Sequence, residues 1–568
     1  MIQRTVKYLD ILIACSLLLL RRPAEAWRSS TQRPRSVAAR RPSAILVHQA
    51  VNNHHHQQDR NDQDHDTDTT ITSHFVATCV PGLSSILADE LQDLGCTQVT
   101  PTGGAAVEFT ATGRTALQTL LWARTPHKIM ESLVVSPPNL HTRDDLHNFI
   151  YDQVNVQQLL GNGQGGLLTL AVSTTLVGAS LPKDLRHSHY TALTIKNALC
   201  DAVRDLRGDR PDVNRDNPDV PLVAVVRGSS NTGAAQVSLY RQIHGPVSLH
   251  KRGYRPATVH KAALKESLAA GLLLQAGWAD QCRAARNQQQ PQQSVPRLLD
   301  PMAGSGTLVV EALLMAADVA PHLLRIKTSR ENDTEDAVVH QLPPILRWKD
   351  YAPLRTTVWP DLLQTATLRA QAGLAWLHSS QTTRVHVNDI HTGALRLLDA
   401  SLHRAGLDGL VDIQAGDATD WHPVRQNEKD NDPWTVVCNP PWGIRLEEDI
   451  EASWEALRHF LRETCPPGTV AYILSGNPSA TKRLGLRRSQ SFPVKVGTHD
   501  LRWLKYKIHG GSVHDGSTEA KFTAEKTRPP VANGSNNQRG QRDDGDRTRS
   551  KPKNKTRSAA PTTNEWLI

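Results

Sequence analysis

The sequence predicts an α/β protein in which a doubly wound parallel sheet follows a smaller α+β region. Short apolar strands alternate with amphipathic helical stretches over residues 251–510, the pattern of βαβ units. Within this region the stretch "LLDPMAGSGTLVVEA" joins a strand to a helix through a glycine-containing loop. Residues 74–250 hold closely spaced strand-like runs with fewer helices, so we expect an α+β module there.

The first 73 residues are predicted to form a targeting leader and a linker, and not part of the folded domains. Residues 1–26 have an early basic segment, an apolar stretch and the small-x-small site Ala24-Glu25-Ala26, the layout of a secretory signal. Residues 27–73 are rich in Arg and Ser and then in His, Gln and Asp, which is typical of a transit peptide followed by a linker. This order resembles the bipartite leaders of algae with complex plastids, so we expect a plastid destination. Plain secretion, a mitochondrial presequence and a wrong start codon are the alternatives.

Charge and cysteine content restrict the partners. The formal net charge is +9 and the pI is about 9.2, which suits a polyanionic partner. The polar, basic residues 511–568 contain too few apolar side chains to fold alone. Seven scattered cysteines form no CxxC pair and no zinc-like spacing with histidine. We therefore expect reduced thiols, no metal, and no stable membrane association once the leader is removed.

The glycine loop predicts a nucleoside-type ligand. Asp300 ends a strand, and Gly304-Ser305-Gly306 follows it. Glycine lets the backbone approach a ligand closely and adopt a positive φ. The spacing matches neither the GxxxxGKS/T phosphate loop nor the GxGxxG of dinucleotide enzymes, so a ligand without a pyrophosphate, such as S-adenosylmethionine, fits better.

Two further acids follow strands. "VHVND" ends in Asp389, where a carboxylate can accept hydrogen bonds from both ribose hydroxyls. In dinucleotide folds that acid lies about 20 residues after the loop; the gap is much longer here, so we expect extra helices in the intervening segment, which includes "LRWKDYAPLRTTVW". Asp417 in "IQAGDATDW" is placed to accept a hydrogen bond from an adenine amino group.

The stretch "VVCNPPWGIRL" predicts a rigid tip after a strand. The prolines of "NPPW" cannot donate to a ladder, so the strand ends at Asn439. The Asn439 side chain and the Pro440 carbonyl offer two acceptors, which suit the two protons of a planar amine. Pro441 limits rearrangement, and Trp442 offers a face on which a base stacks, worth about 1 to 3 kcal/mol per base. This pattern leaves open adenine, cytosine, guanine or a glutamine amide as the target.

Taken together, these stretches resemble a known family. "DPMAGSGT" followed by "NPPWG" resembles the amino-methyltransferase pattern of class I S-adenosylmethionine enzymes. Upstream, "FVATCVPGLSSILADELQDLGC" and "LHKRGYRPATVHKAALKESLAAGLLLQAGW" resemble THUMP-containing RNA methyltransferases, in particular the bacterial large-subunit ribosomal RNA guanine-N2 methyltransferases. The similarity runs from about Phe75 to Ile508.

The resemblance implies a fold, a reaction and site residues. The fold is a Rossmann-like class I methyltransferase domain preceded by an α+β ferredoxin-like/THUMP RNA-binding module, and the reaction is methylation of the N2 amine of a guanine in ribosomal RNA. The implied cofactor-site residues are Asp300, Gly304, Ser305, Gly306, Asp389 and Asp417, and the implied catalytic residues are Asn439, Pro440, Pro441 and Trp442.

The chain departs from the family pattern at several points. Ala303 stands where the family often has Cys, Trp442 where it usually has Tyr, and His391 where it has a second acid. Because the bacterial enzyme often carries a second methyltransferase domain and residues 511–568 do not resemble one, we expect the second modification to be absent.

Basic and aromatic residues of the N-terminal half are candidates for RNA contacts. Cations suit phosphates and a tyrosine suits a base. The candidates are Lys183, Arg186, His189, Lys196, Lys251, Arg252, Tyr254 and Arg255. The competing hypotheses are a THUMP-type transfer RNA guanine-N2 methyltransferase and a noncatalytic ribosome-assembly factor.

Overall fold

A computed structural model describes residues 72–178, 180–229, 233–256, 263–287, 295–330, 342–379, 384–423, 434–443 and 450–509. The leader 1–26, nearly all of the segment 27–73, and the tail 511–568 lie outside these residues. The plastid destination and the expected disorder of the tail therefore stay predictions.

The first half of the described chain is built on a seven-stranded sheet. Its strands are β1 (Thr72–Thr78), β2 (Thr97–Thr102), β3 (Ala106–Thr112), β4 (Lys128–Val135), β5 (Leu170–Val177), β6 (Val220–Gly228) and β7 (Ala235–Gln242). The order is β2-β3-β1-β4-β7-β6-β5, and every pair is antiparallel except the parallel pair β5–β6. The ferredoxin-like and THUMP parts of the predicted module therefore share one continuous sheet.

Sequence patterning missed two of these strands for different reasons. β2 is largely exposed and contains Pro101, so it has no apolar alternation. β4, "KIMESLVV", carries a buried acid, Glu131, whose register partner on β7 is Arg241. Because the two charges neutralise each other across the sheet, a residue that argues against a buried strand in sequence is accommodated in one.

Within the described ranges, five α-helices accompany the first sheet. They are α1 (Ser84–Asp93), α2 (Gly113–Trp122), α3 (Arg143–Gln153), α4 (Val156–Leu160) and α5 (Ser188–Arg207). α5 buries Ile195, Leu199 and Val203, a stripe at intervals of four residues that matches the helical period. It ends at Gly208 with φ +84°, a left-handed C-cap that glycine adopts without steric cost.

The second half is built on the predicted doubly wound sheet. Its strands are β8 (Leu298–Asp300), β9 (Val385–Asp389), β10 (Val411–Ala415), β11 (Thr435–Cys438), β12 (Val470–Ser475), β13 (Arg488–Val496) and β14 (His499–Lys507). The order is β10-β9-β8-β11-β12-β14-β13, with β14 antiparallel to both neighbours and the other pairs parallel. The chain leaves β8 toward β9 and β10 and later returns to β11 on its other side, which makes the gap between β8 and β11 a topological switch point. The hairpin β13–β14 was not predicted.

Nine helices belong to this half. They are α6 (Glu266–Gln275), α7 (Trp278–Asn287), α8 (Thr307–Ala316), α9 (Pro321–Arg330), α10 (Leu354–Thr357), α11 (Trp359–His378), α12 (Thr392–Ala405), α13 (Ile450–His459) and α14 (Pro478–Arg483), as far as the described residues show. α9 to α11 lie between the first sheet helix, α8, and β9, which confirms the prediction of inserted helices. All ten residues of α8 are buried. Within the described ranges, no helix is long and apolar enough to cross a membrane.

Arg241 of β7 joins the first sheet to the inserted segment. Its Nε donates to Glu131 Oε2 at 2.6 Å, and its guanidinium carbon lies 4.3 Å from the ring centroid of Trp348. The hydroxyl of Tyr351 donates to Glu131 Oε1 at 2.8 Å. The Arg241 side chain is only 5% exposed, so the ion pair with Glu131 is desolvated. Its directional hydrogen bonds and the stacking on Trp348 hold these residues in one geometry.

A second buried junction follows β7. Arg252 donates to the carbonyls of Leu249, at 2.7 Å, and of Arg124, and its Nε lies 3.5 Å from Glu311 Oε1 of α8. The hydroxyl of Tyr254 donates to the same Glu311 oxygen at 3.1 Å. Arg252 is 1% exposed and Tyr254 2%. The prediction that these two residues contact RNA is wrong, because both are enclosed where the N-terminal half meets α8.

Removing the acid at this junction is expected to destabilise the fold. Glu311→Gln keeps the side-chain size but leaves the buried Arg252 without its counter-charge, so the free energy of unfolding falls by about 3 kcal/mol. Urea unfolding followed by circular dichroism measures the loss. The matched control is Glu455→Gln, which breaks an exposed ion pair with Arg458 and costs at most about 1 kcal/mol. Equal losses in the two variants would contradict the role given to Glu311.

Candidate functional site

Four parallel strands end side by side at one edge of the second sheet. Asp300 is the last residue of β8 and Asp389 the last of β9, while Asp417 follows β10 and Asn439 follows β11. The order β10-β9-β8-β11 brings all four strand ends to the same edge. The residues predicted from four separate stretches of sequence thus lie along one edge of the sheet, which includes the switch point.

The glycine loop is tied to the neighbouring strand. The Gly304 amide donates to Asp389 Oδ2 at 2.7 Å. Gly306 has φ +72°, and a Cβ there would lie 2.1 Å from Leu398 Cδ1, so α12 leaves no room for a side chain. Gly304 has φ +56°, and a Cβ there would meet nothing within 4 Å. The loop, which includes the half-buried Ser305, is therefore closed on its α12 side and open above Gly304.

Asp389 organises this end of β9. Its Oδ1 accepts the His391 amide at 2.8 Å and its Oδ2 accepts the Gly304 amide. Asp389 is 7% exposed, and these two bonds fix its carboxylate between the end of β9 and the glycine loop. Ile390, the next residue, is 63% exposed and adds an apolar surface at the same place. Sequence reasoning passed over Ile390, although an apolar residue directly after a strand-terminal acid was the available signal.

Asp300 does not face the opening. It is 1% exposed, and its Oδ1 accepts the Met302 amide at 3.2 Å. Burial raises the pKa of Asp300 well above its usual range, and the nearby Asp389 carboxyl raises it further. The expectation that Asp300 lines a cofactor site is corrected, because its side chain is enclosed and binds the backbone at the start of the loop.

Asp417 and Asn388 hold the adjacent turn. Asp417 is exposed, and its Oδ1 accepts the Thr419 amide at 2.8 Å. Asn388 is 1% exposed, and its Nδ2 donates to Pro301 O at 3.2 Å and to Gly416 O at 2.9 Å. Asn388 therefore ties the loops after β8 and β10 together. It was not a sequence candidate, and its only signal was a polar residue inside an apolar strand.

The Asn439–Trp442 turn is held from two sides. Trp454 Nε1 of α13 donates to Pro441 O at 2.8 Å, and Asn477 Nδ2 donates to Trp442 O at 3.3 Å. Pro440 is buried, whereas Asn439 and Trp442 are half-buried. The backbone of the turn is thus fixed by side chains that follow β11 and β12, and its two functional side chains retain access to solvent.

Arg255 contacts the first residue of α8, the helix that follows the glycine loop. Its Nη2 donates to Thr307 Oγ1 at 2.8 Å and to the Leu264 carbonyl, and its Nε lies 3.3 Å from Glu266 Oε1. Thr307 is the first residue of α8, directly after Gly306. The prediction that Arg255 contacts RNA is corrected, because its guanidinium is engaged at the start of this helix.

The remaining cationic candidates lie on the surface. Lys183, Arg186, His189 and Lys251 are exposed, and Lys196 is half-buried. Tyr190, which sequence reasoning did not select, is 47% exposed; the Arg143 guanidinium lies 5.4 Å from its ring centroid, and the His187 ring centroid lies 4.7 Å away. An exposed aromatic ring beside an arginine is a composition that binds unpaired nucleotides.

The titratable residues do not suggest a metal centre. In the part of the chain that the structure describes, no group of three or more His, Cys, Asp or Glu side chains is arranged to hold a metal ion. The six cysteines within those ranges are all buried and unpaired.

Three family models match the chain in order. The model of the RlmL ferredoxin-like domain matches residues 74–130, the THUMP domain model matches 145–232, and the model described as UPF0020, RMKL-like, methyltransferase domain, matches 252–505. With the fold and the switch-point site, these matches define the class as a THUMP-containing methyltransferase. The chain belongs to the family that combines an RlmL-type ferredoxin-like domain, a THUMP domain and an RMKL-like methyltransferase domain.

Proteins of similar sequence and structure are also methyltransferases by name. A ribosomal RNA large subunit methyltransferase K/L of Allochromatium vinosum is 31% identical over 436 residues, which cover 76% of this chain and 51% of that protein. The chain thus spans about half the length of the curated relatives it matches. A possible methylase from Clostridium difficile 630 has a TM-score of 0.58 at 18% identity, covering 78% of this chain and 99% of that chain. SMU.472, a putative methyltransferase complexed with SAH, has a TM-score of 0.56 at 17% identity, with the same coverage of both chains. These two structures share the fold.

A side chain at Gly306 is expected to abolish the loop conformation. Gly306→Ala combines a positive φ with a contact of 2.1 Å to the buried Leu398, so affinity for S-adenosylmethionine, measured by calorimetry, falls at least about tenfold. Gly393→Ala is the matched control, because a Cβ there meets nothing within 4 Å, and it leaves the affinity within twofold. Retention of full affinity by Gly306→Ala would show that this loop does not form the cofactor site.

Proposed function

We propose that this chain is an S-adenosylmethionine-dependent methyltransferase that methylates the exocyclic N2 amine of a guanine in large-subunit ribosomal RNA. One observation carries the proposal: the Asn439–Trp442 turn and the open glycine loop stand at neighbouring strand ends, β11 and β8, on either side of the switch point. An amine-gripping turn beside a nucleoside-binding loop is the arrangement that methyl transfer to a base requires.

The loop residues fit the cofactor. The open space above Gly304 admits a ligand close to the backbone, Asp389 offers carboxylate oxygens to ribose hydroxyls, and the exposed Ile390 offers an apolar face to the adenine. When bound, S-adenosylmethionine supplies an electrophilic methyl group on a sulfonium. The chain itself binds and orients this group, because preorganised donors, acceptors and contact surfaces replace solvent at the strand edge.

The Asn439–Trp442 turn fits a base amine. The lone pair of a nucleobase amine is delocalised into the ring, so the amine is a poor nucleophile until it is positioned. Asn439 Oδ1 and the Pro440 carbonyl accept hydrogen bonds from its two protons and so aim the nitrogen, while Trp442 contacts the face of the base. No strong base is required at the site, because the amine becomes acidic as it is methylated and releases its proton late.

Three lines of support favour RNA, and ribosomal RNA in particular. The THUMP-domain match and the exposed Tyr190 with Arg143 over its ring support an RNA ligand. The name of the Allochromatium relative supports ribosomal RNA, and the resemblance of the motifs supports guanine N2. A paired guanine must leave its stack to reach Trp442, so an open strand or a partly assembled particle is the expected substrate.

The two competing functions make different demands on the site. A transfer RNA guanine-N2 methyltransferase would use the same loop and turn with another RNA. A noncatalytic assembly factor would have no need for the tie between Gly304 and Asp389 or for the double anchoring of the Asn439–Trp442 turn, and both are intact.

Methyl transfer in vitro decides between these functions. The full chain is incubated with labelled S-adenosylmethionine and, side by side, deproteinised large-subunit ribosomal RNA and transfer RNA, followed by nucleoside analysis. N2-methylguanosine in the ribosomal RNA is the expected product. Label confined to transfer RNA would assign the chain to the transfer RNA reaction. Cofactor binding without label in either RNA, or in preribosomal particles, would favour the assembly factor.

Two substitutions separate chemistry from cofactor binding. Asn439→Ala removes an acceptor for the amine and is expected to lower kcat by about 100-fold to 1,000-fold while the dissociation constant of S-adenosylmethionine stays within twofold. Asp389→Ala releases the Gly304 amide and is expected to weaken cofactor binding at least about tenfold. Calorimetry and single-turnover kinetics measure the two effects, and parallel losses of cofactor affinity in both variants would contradict these roles.

The exposed cations are expected to contribute affinity without specificity. Lys183→Ala combined with Arg186→Ala lowers ribosomal RNA affinity and reduces the slope of log K against log salt by up to about two, since each lost phosphate contact contributes about 0.9 or less. Filter binding between 50 mM and 200 mM salt measures the slope. The control pair Arg283→Ala and Lys507→Ala removes two other exposed cations, and an equal change there would indicate diffuse charge instead of a docking surface.

A further inference from the structure

The indole of Trp442 does more than present a ring face. Its Nε1 donates a hydrogen bond to Asn439 Oδ1 at 3.2 Å. An indole has one donor and no acceptor, whereas an asparagine amide has a carbonyl oxygen at one end and two N–H donors at the other. The bond therefore selects the oxygen end of Asn439 and fixes the rotation of its amide.

Trp442 is itself held independently of Asn439. Its backbone carbonyl accepts Asn477 Nδ2, and Asn477 Oδ1 in turn caps α14 by accepting the Ser479 amide at 3.0 Å and the Ala480 amide at 3.1 Å. A Cβ at Gly476 would lie 3.1 Å from Trp442 Cε3, so the absence of a side chain at position 476 makes room for the ring. The position of the indole is thus set by residues that follow β12.

We infer that Trp442 is a positioning residue that keeps the carbonyl oxygen of Asn439 directed at the target amine. This inference rests on the proposed function, because only an amine substrate makes the orientation matter. With the amide reversed, the N–H donors of Asn439 would face the N–H donors of the amine, and the nitrogen would lose one of its two acceptors. An oxygen that accepts the indole N–H keeps a second lone-pair direction for the amine. Phenylalanine or tyrosine would retain a ring face but carries no donor at the place of Nε1.

Removing the indole N–H alone tests the inference. Trp442→3-benzothienylalanine, introduced into the full chain by nonsense suppression, replaces the N–H by sulfur and keeps the two-ring shape. We expect kcat for ribosomal RNA methylation to fall about tenfold, the scale of one lost hydrogen bond, while KM for RNA and the dissociation constant of S-adenosylmethionine stay within twofold. An unchanged kcat would overturn the inference. A higher kcat would overturn it as well, because the bond from Trp442 to Asn439 would then have to break before the reaction.

A second background separates orientation from stacking. Asn439→Asp places an oxygen at both ends of the side chain, so its rotation no longer needs to be selected. In that background the benzothienyl substitution is expected to change kcat by less than twofold. The same tenfold fall in both backgrounds would show that the ring acts through stacking or through the turn, and would overturn the inference.

Displacing the indole provides an independent variant. Gly476→Ala pushes a methyl group toward Trp442 Cε3 and toward Leu501 Cδ2, which would lie 2.8 Å away, and is expected to lower kcat several-fold without weakening cofactor binding. Retention of wild-type kcat would overturn the inference. The wild-type chain tests the proposed function separately. If the wild-type chain forms no N2-methylguanosine, the proposed function fails and the inference fails with it. If the wild-type chain is active and the variants are equally active, only the inference is rejected.

Discussion

The pairing of the short strand β8 between β9 and β11 is the constraint on which the site depends. β8 has only three residues, all buried, and it runs parallel to both neighbours. Because parallel strands end at the same edge, the loop after β8 meets Asp389 on one side and the turn after β11 on the other. The hydrogen bond from the Gly304 amide to Asp389 then closes the loop on β9, and the space above Gly304 stays open.

Buried ion pairs connect the ferredoxin-like/THUMP module to the second sheet. Arg241 joins Glu131 on the first sheet to Trp348 and Tyr351 in the inserted segment, and Arg252 joins the end of the first module to Glu311 on α8. Burying ion pairs costs desolvation energy that apolar packing would not. What the pairs add is a single orientation, since directional bonds at fixed distances tolerate little sliding. α8 begins at the glycine loop, so this junction also links the module to the cofactor side of the site.

The Asn439–Trp442 turn shows how an exposed site is kept rigid. Prolines restrict its backbone, Trp454 and Asn477 bind two consecutive carbonyls, and Gly476 leaves space for the Trp442 ring. The turn is therefore held by α13 and by the segment after β12, although Trp454, Gly476 and Asn477 lie outside the motif. In physical terms the site consists of a short motif and a set of supports that are distant in sequence.

The sequence by itself determined the alternating strands β8 to β12 of the second half, the glycine loop, the strand-terminal Asp389 and the proline-rich turn, because periodicity, glycine and proline are local signals. Only the tertiary structure decided that β4 is a strand with a buried Glu131 and that Asp300 is enclosed. It also decided that Arg252 and Tyr254 are buried and Arg255 is engaged at the start of α8, while Tyr190 is exposed. Exposure of a charged or aromatic side chain is a property of what packs against it, and that partner is distant in sequence. The same reason explains why Asn388, Asn477 and Gly476 were missed: each acts through a contact that exists only once the sheet has formed.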